Sequence, residues 1–157
     1  MLYAAIDRAR PGDVIVLDAQ AELSNAITGE LMMSWAQAKS LAGVIVDGAV
    51  RDAEALGEMS MPVYAAGVTP NGPFKNGPGE VNVPISCGGL VVKPGDIIVG
   101  DADGIIVIDP GEAREVLGKA RATVDKEIGI RSAIRDNAWD VSWVSQMLKE
   151  KGCEIVE

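Results

Sequence analysis

The sequence predicts an α/β fold, and three of its features carry that expectation. From residue 1 to residue 66, stretches of helical apolar spacing alternate with short strand-like runs. Two of those runs, 14–17 and 44–46, are continuously aliphatic, the pattern of strands covered on both faces of a parallel sheet. Finally, 157 residues at 48% hydrophobic and 24% charged match one globular domain with a real core and exclude a disordered chain.

The elements follow in order. Leu2, Ala5, Ile6 and Ala9 recur at helical steps until Pro11-Gly12 stops them, so residues 1–10 are expected to form a helix. The strand at 14–17 comes next, and residues 20–25 read as a polar loop. Leu31, Trp35, Ala38 and Leu41 mark an amphipathic helix over 28–41, ended by Gly43. The strand at 44–46 ends at Asp47-Gly48, a helix is expected at about 53–58, and a strand at 63–66.

Residues 67–80 then crowd four glycines, three prolines and two asparagines into one long loop, a feature that in a compact domain accompanies mobility or function. Short strands at 81–85, 89–92, 97–99 and 105–108, separated by Gly and Asp turns, predict an antiparallel section. The last third, 111–151, is expected to be a helical arm with a break near Asn137, long enough that part of it reaches a neighbouring subunit.

Charge and composition narrow the chemistry. With 14 Lys and Arg against 23 Asp and Glu, the net charge of -9 repels phosphate backbones and anionic lipid, so neither nucleic acid nor a membrane is an expected partner. The absence of His removes the commonest general base and zinc ligand. Cys87 and Cys153 are too far apart in sequence for a CxxC pair, and two reduced thiols without a signal-like N-terminus suggest a cytoplasmic location. Cys87, in Ser86-Cys87-Gly88-Gly89, has no basic partner in its motif and is not expected to be a catalytic thiolate.

Two motifs remain. Arg51-Asp52 lies just past the C-terminal end of a strand, where open α/β folds place ligands. There Arg51 suits an anionic oxygen and Asp52 a hard cation, the competing reading being a solvated ion pair. Gly29-Glu30-Leu31-Met32 opens a helix, whose free N–H groups can bind a carboxylate, the plainer reading being a helix start with a first-turn acid. Asp101 and Asp103 begin like a calcium loop, but the strand that follows supplies no further ligands, so they read as a turn. By spacing alone, Glu54, Glu58 and Glu127 read as solvated helix faces.

Taken together, Gly29-Glu30-Leu31-Met32, the run from Gly43 through Asp47-Gly48-Ala49-Val50-Arg51-Asp52, the loop from Thr69-Pro70-Asn71-Gly72-Pro73 to Gly79-Glu80-Val81-Asn82, and Pro94-Gly95-Asp96 through Asp101-Ala102-Asp103-Gly104 resemble the RraA-like family. That family contains the 4-hydroxy-4-methyl-2-oxoglutarate aldolases and the regulators of ribonuclease E activity. The likeness covers nearly the whole chain, as one RraA-like domain over 1–157 whose N-terminal part looks shortened and whose residues 111–157 form the helical arm. It implies a swivelling β/β/α sandwich, assembled as a homotrimer or hexamer with active sites between subunits.

For function, the resemblance implies a lyase: a divalent-metal-dependent aldolase that cleaves 4-hydroxy-4-methyl-2-oxoglutarate or a related 2-keto acid to pyruvate, with oxaloacetate decarboxylase side activity. Gly29, Glu30, Leu31, Met32 and Arg51 would bind substrate, and Arg51 would also steady the enolate. Asp52 would hold magnesium or manganese, helped by Glu127 from an adjacent subunit. A Lewis acid and a guanidinium fit a chain without His, because no side-chain base near pH 7 is then required. The family's alternative is a metal-independent regulator that binds a ribonuclease. That branch loses the metal-binding acid, which is present here as Asp52. Some aldolases also carry an acid three residues beyond the metal ligand, where this chain has Ala55.

Overall fold

In the computed structural model, which describes residues 1–74 and 77–153, the helix and strand alternation becomes a three-stranded parallel sheet. Its strands are β1 (Val14–Thr28), β2 (Gly43–Val50) and β3 (Val63–Val68), in the order β1-β2-β3. The helices are α1 (Leu2–Arg8) before β1, α2 (Glu30–Ala38) between β1 and β2, and α3 (Ala53–Gly57) between β2 and β3. Central β2 is buried at every residue except the half-buried Asp47, as expected of a strand whose Val44–Ile45–Val46 run is covered on both faces.

Around Val44, Val46 and Val50 of β2 the core gathers Ile6 from α1, Met33 and Ala36 from α2, and Leu56 from α3. Each such aliphatic side chain contributes about 1.5–3 kcal/mol when fully buried. Burial of one helical stripe against the sheet thus fixes where the first turn of α2 and the end of β2 come to lie.

Strand β1 differs from the expected short strand and loop. Residues 20–25 belong to it, and its fifteen residues run beside only eight of β2. Regular pairing from Val14↔Gly43 to Asp18↔Asp47 gives way to Glu22↔Gly48, Ala26↔Ala49 and Thr28↔Val50, with residues bulged out at each step. Gln20 and Ala21 take left-handed backbone angles at the first bulge, φ 55° and 54°. A polar, bulged strand has no period-2 signature, which is why the sequence suggests a loop. Thr28 ends β1 and Gly29 caps α2, so the helix begins two residues later than expected.

The antiparallel section forms two hairpins, β4 (Ile85–Cys87) with β5 (Leu90–Val92) and β6 (Ile97–Gly100) with β7 (Ile105–Ile108). Residues 81–84, expected in the first of these strands, lie outside it. The carboxylate of Asp101 accepts from the N–H groups of Asp103 (2.8 Å) and Gly104 (3.3 Å), so this acid is spent on its turn. Lys75 and Asn76 of the expected long loop, and residues 154–157, lie outside the described residues.

The chain divides into two compact units, Met1–Pro110 and Gly111–Glu157. The second contains α4 (Ala113–Arg135) and α5 (Ser142–Glu150), separated near Asn137, whose φ of 52° is left-handed. Neither helix has a buried residue, and Leu117, Val124 and Ile128 of the α4 stripe are about half exposed. No helix among the described residues is long and apolar enough to cross a membrane.

Candidate functional site

The end of β2 and the start of α2 meet because β1 and β2 are paired. Val50 pairs with Thr28, and the Arg51 N–H donates to the Thr28 carbonyl at 3.0 Å. Immediately afterwards Asp52 adopts φ 58° and ψ 40°. This left-handed conformation is one that Asp and Asn tolerate better than other non-glycine residues, and it turns the chain out of strand geometry.

The Asp52 carboxylate consequently faces the α2 N-terminus. Its Oδ2 accepts from the Glu30 N–H at 3.0 Å and lies 3.4 Å from Arg51 Nε. Asp52 thereby acts as a remote cap for a helix that has no side-chain cap of its own at Gly29. The N–H groups of Leu31 and Met32 also belong to this first turn, which has no preceding turn of helix to accept from it. Glu30 itself is exposed, and its backbone rather than its carboxylate meets Asp52.

Gly29 is required here for space. Its φ of −159° is open to any residue, but a Cβ would overlap Asp52 Oδ2 and come within 2.8 Å of Arg51 Cγ. The absent side chain lets both functional groups lie across the helix start. Asp52 Oδ1 makes no hydrogen bond or ion pair among the described residues, nor do the Nη1 and Nη2 donors of Arg51. With these two side chains 43% and 40% exposed, their ion pair adds little stability. Its effect is orientation: one carboxylate oxygen and one guanidinium edge are occupied, and the others have no partner among the described residues.

A second wall comes from the loop after β3. The Thr69 N–H donates to the Val50 carbonyl at 2.9 Å, continuing the sheet beside Arg51. Asn71 then bridges to bulged β1: its Nδ2 donates to the Ser24 carbonyl at 2.9 Å, and its own carbonyl accepts from the Ala26 N–H at 2.9 Å. Asn25 Nδ2 donates to the Gly72 carbonyl at 2.8 Å. The sequence flags this loop without assigning its residues; Asn71-Gly72 directly after the strand beside β2 is the signal that could have found them.

Glu127 lies in α4, in the second unit, where it is exposed and 3.6 Å from Arg131 Nη2 one turn on. Among the described residues no three His, Cys, Asp or Glu side chains form a ready metal cage. Asp52 still fits a hard cation of the magnesium type, which keeps several waters and takes one or two protein carboxylates together with substrate oxygens. Its Oδ1, without a partner among the described residues, is the structural feature that meets this requirement. Cys87 sits near Asp47 and Asp18, and its thiol pKa is raised, first by burial and then by those two carboxylates. It is a poor nucleophile there.

Comparison with known proteins agrees with this architecture. The family model described as RraA-like, Aldolase/RraA, matches residues 1–107. A Halalkalibacterium halodurans protein with the provisional name 4-hydroxy-4-methyl-2-oxoglutarate aldolase is 44% identical over 133 residues, 85% of this chain. The chain spans 63% of that relative's length. The crystal structure of Streptomyces coelicolor RraAS2, described as an unusual member of the RNase ES inhibitor RraA family, matches with a TM-score of 0.77 at 31% identity, covering 83% of this chain and 67% of that one. The RNA-processing inhibitor RraA from Thermus thermophilis gives a TM-score of 0.62 at 34% identity, covering 68% and 66%. With that family model matching residues 1–107 of its 157, the chain belongs to the RraA-like family.

Proposed function

We propose that this protein is a lyase that cleaves a 2-keto acid of the 4-hydroxy-4-methyl-2-oxoglutarate type to pyruvate and also decarboxylates oxaloacetate. The observation that carries the reading is the pair of groups at the end of β2 with no partner among the described residues, Asp52 Oδ1 and the Nη edge of Arg51, held by contacts through their other atoms. The provisional name of the Halalkalibacterium halodurans relative supports the same class. The two inhibitor relatives suggest a regulator, but a surface that only binds protein has no need of a carboxylate poised in this way.

Asp52 would hold magnesium or manganese through Oδ1, and the ion, when bound, supplies Lewis acidity toward the keto acid. The remaining tasks fall to the chain. Arg51 presents fixed positive charge where an oxygen gains negative charge as the carbon–carbon bond parts. The first-turn N–H groups of Leu31 and Met32 bind a substrate carboxylate, aided by the helix dipole. Glu30 and Gly29 serve through backbone and space. As the bond breaks, the substrate hydroxyl gives its proton to water and becomes the carbonyl of one product (with oxaloacetate, CO2 leaves instead), while the bond's electrons pass into the pyruvate enolate, which water protonates to pyruvate.

Pyruvate release from oxaloacetate and from the hydroxy-methyl diacid tests this directly. Activity is expected with added Mg²⁺ or Mn²⁺, to vanish with a chelator and to return on re-addition. Turnover indifferent to chelation would sink the proposed mechanism.

The site also extends to a neighbouring copy in this reading. The half-exposed apolar stripe of α4 favours self-association as a trimer or hexamer, and Glu127 of one copy would steady the cation's waters at Asp52 of the next. Mixing inactive Arg51→Ala and Glu127→Ala chains is then expected to restore part of the activity, since some mixed sites carry both intact residues. No recovery would remove Glu127 from the site.

A further inference from the structure

We infer that Gly72 keeps the Nη edge of Arg51 open to a carboxylate ligand and so determines which anions the site admits. The inference rests on the proposed role of Arg51 as the anion-binding group, and does not depend on the bond-breaking step.

Gly72 is not explained by its backbone. Its φ lies outside the left-handed range, so other residues can take the same conformation. Close packing does not require it either. Among the described residues, a Cβ built there meets one atom within 4 Å, Arg51 Nη1 at 3.7 Å, an ordinary contact distance. What glycine provides is the absence of any side-chain atom reaching past where a Cβ would stand. Any longer side chain would extend into the space in front of the guanidinium.

The position is fixed. Asn25 Nδ2 holds the Gly72 carbonyl at 2.8 Å, while Asn71 is bonded on both sides to bulged β1, through the Ser24 carbonyl and the Ala26 N–H, each at 2.9 Å. A side chain at 72 would therefore meet Arg51 without the loop first moving away. An Asp there would reach Nη1 and supply an internal carboxylate in place of the ligand's, whereas an Asn of the same size would bring no charge.

The test uses malonate, an unreactive dicarboxylate, with binding to the purified chain measured by calorimetry at low salt. Both Gly72→Asn and Gly72→Asp fill the space, and the Asp variant is expected to bind malonate at least about tenfold more weakly than the Asn variant. By NMR titration, the carboxyl introduced by Gly72→Asp is expected to titrate about one unit higher when Arg51→Ala is added, because the guanidinium holds it down. Malonate affinity in Gly72→Asp equal to that of the unmodified chain, a carboxyl indifferent to Arg51, or no malonate binding by the unmodified chain would each overturn the inference. Malonate binding without pyruvate release from any substrate would leave Gly72 in its role and remove the lyase reading instead.

Discussion

Asp52→Ala is expected to lower kcat for pyruvate release by roughly 1000-fold or more, the scale on which loss of a principal charge-stabilising element acts. Three effects add. In the proposed mechanism the cation would lose its carboxylate; in the structure the Glu30 N–H loses its acceptor at the α2 start and Arg51 Nε loses its partner. Alanine must also take a left-handed backbone at φ 58°, a folding cost of about 1 kcal/mol. Asp52→Asn separates these contributions. Its amide oxygen can still accept from Glu30 and it tolerates the left-handed turn, but it carries no charge. Comparable loss in both variants, with a normal melting temperature for Asn, assigns the effect to charge. If Asp52→Asn keeps near-full metal-dependent turnover, the aspartate is not the cation's ligand.

Gly29→Ala is the second large expected effect, and it arises from a single methyl group. That methyl would occupy the position of Asp52 Oδ2 and press on Arg51 Cγ at 2.8 Å. The backbone on both sides is fixed by the β1–β2 ladder, including the bond from the Arg51 N–H to the Thr28 carbonyl, so relief must come from the two side chains swinging outward. Both are partly exposed and free to do so. Activity is therefore expected to fall about 100-fold, as misplacement of positioned groups does, while the melting temperature moves little. Paired kinetic and thermal measurements distinguish this from unfolding. A Gly29→Ala chain as active as the original would show that turnover does not depend on this packing.

Where side-chain pattern dictates structure, the sequence was legible. The aliphatic runs at 14–17 and 44–46 lie in β1 and β2, and the Leu31–Trp35–Ala38 spacing lies on α2. The Arg51-Asp52 motif stands just past the end of β2, as its place after Val44–Ile45–Val46 suggested. What was not legible depends on pairing between distant segments. Residues 20–25 join β1 only because β2 accepts a bulged partner, and Asn71 and Gly72 approach Arg51 only because that bulge supplies Ser24, Asn25 and Ala26 as anchors. The contact between Gly29 and Asp52 spans 23 positions and has no local signature; it becomes visible once strand pairing joins Thr28 to Val50.

The unequal lengths of β1 and β2 have an evolutionary consequence. Surplus residues of β1 are extruded between ladder pairings, so an insertion or deletion among them need not disturb the hydrophobic centre around Val44 and Val46. Those same residues anchor the loop that carries Gly72. Changes in chain length at this point would thus remodel the loop beside Arg51 while the hydrophobic centre around Val44 and Val46 stays unaltered, so that natural variation there is free to change the rim of the proposed site without eroding stability.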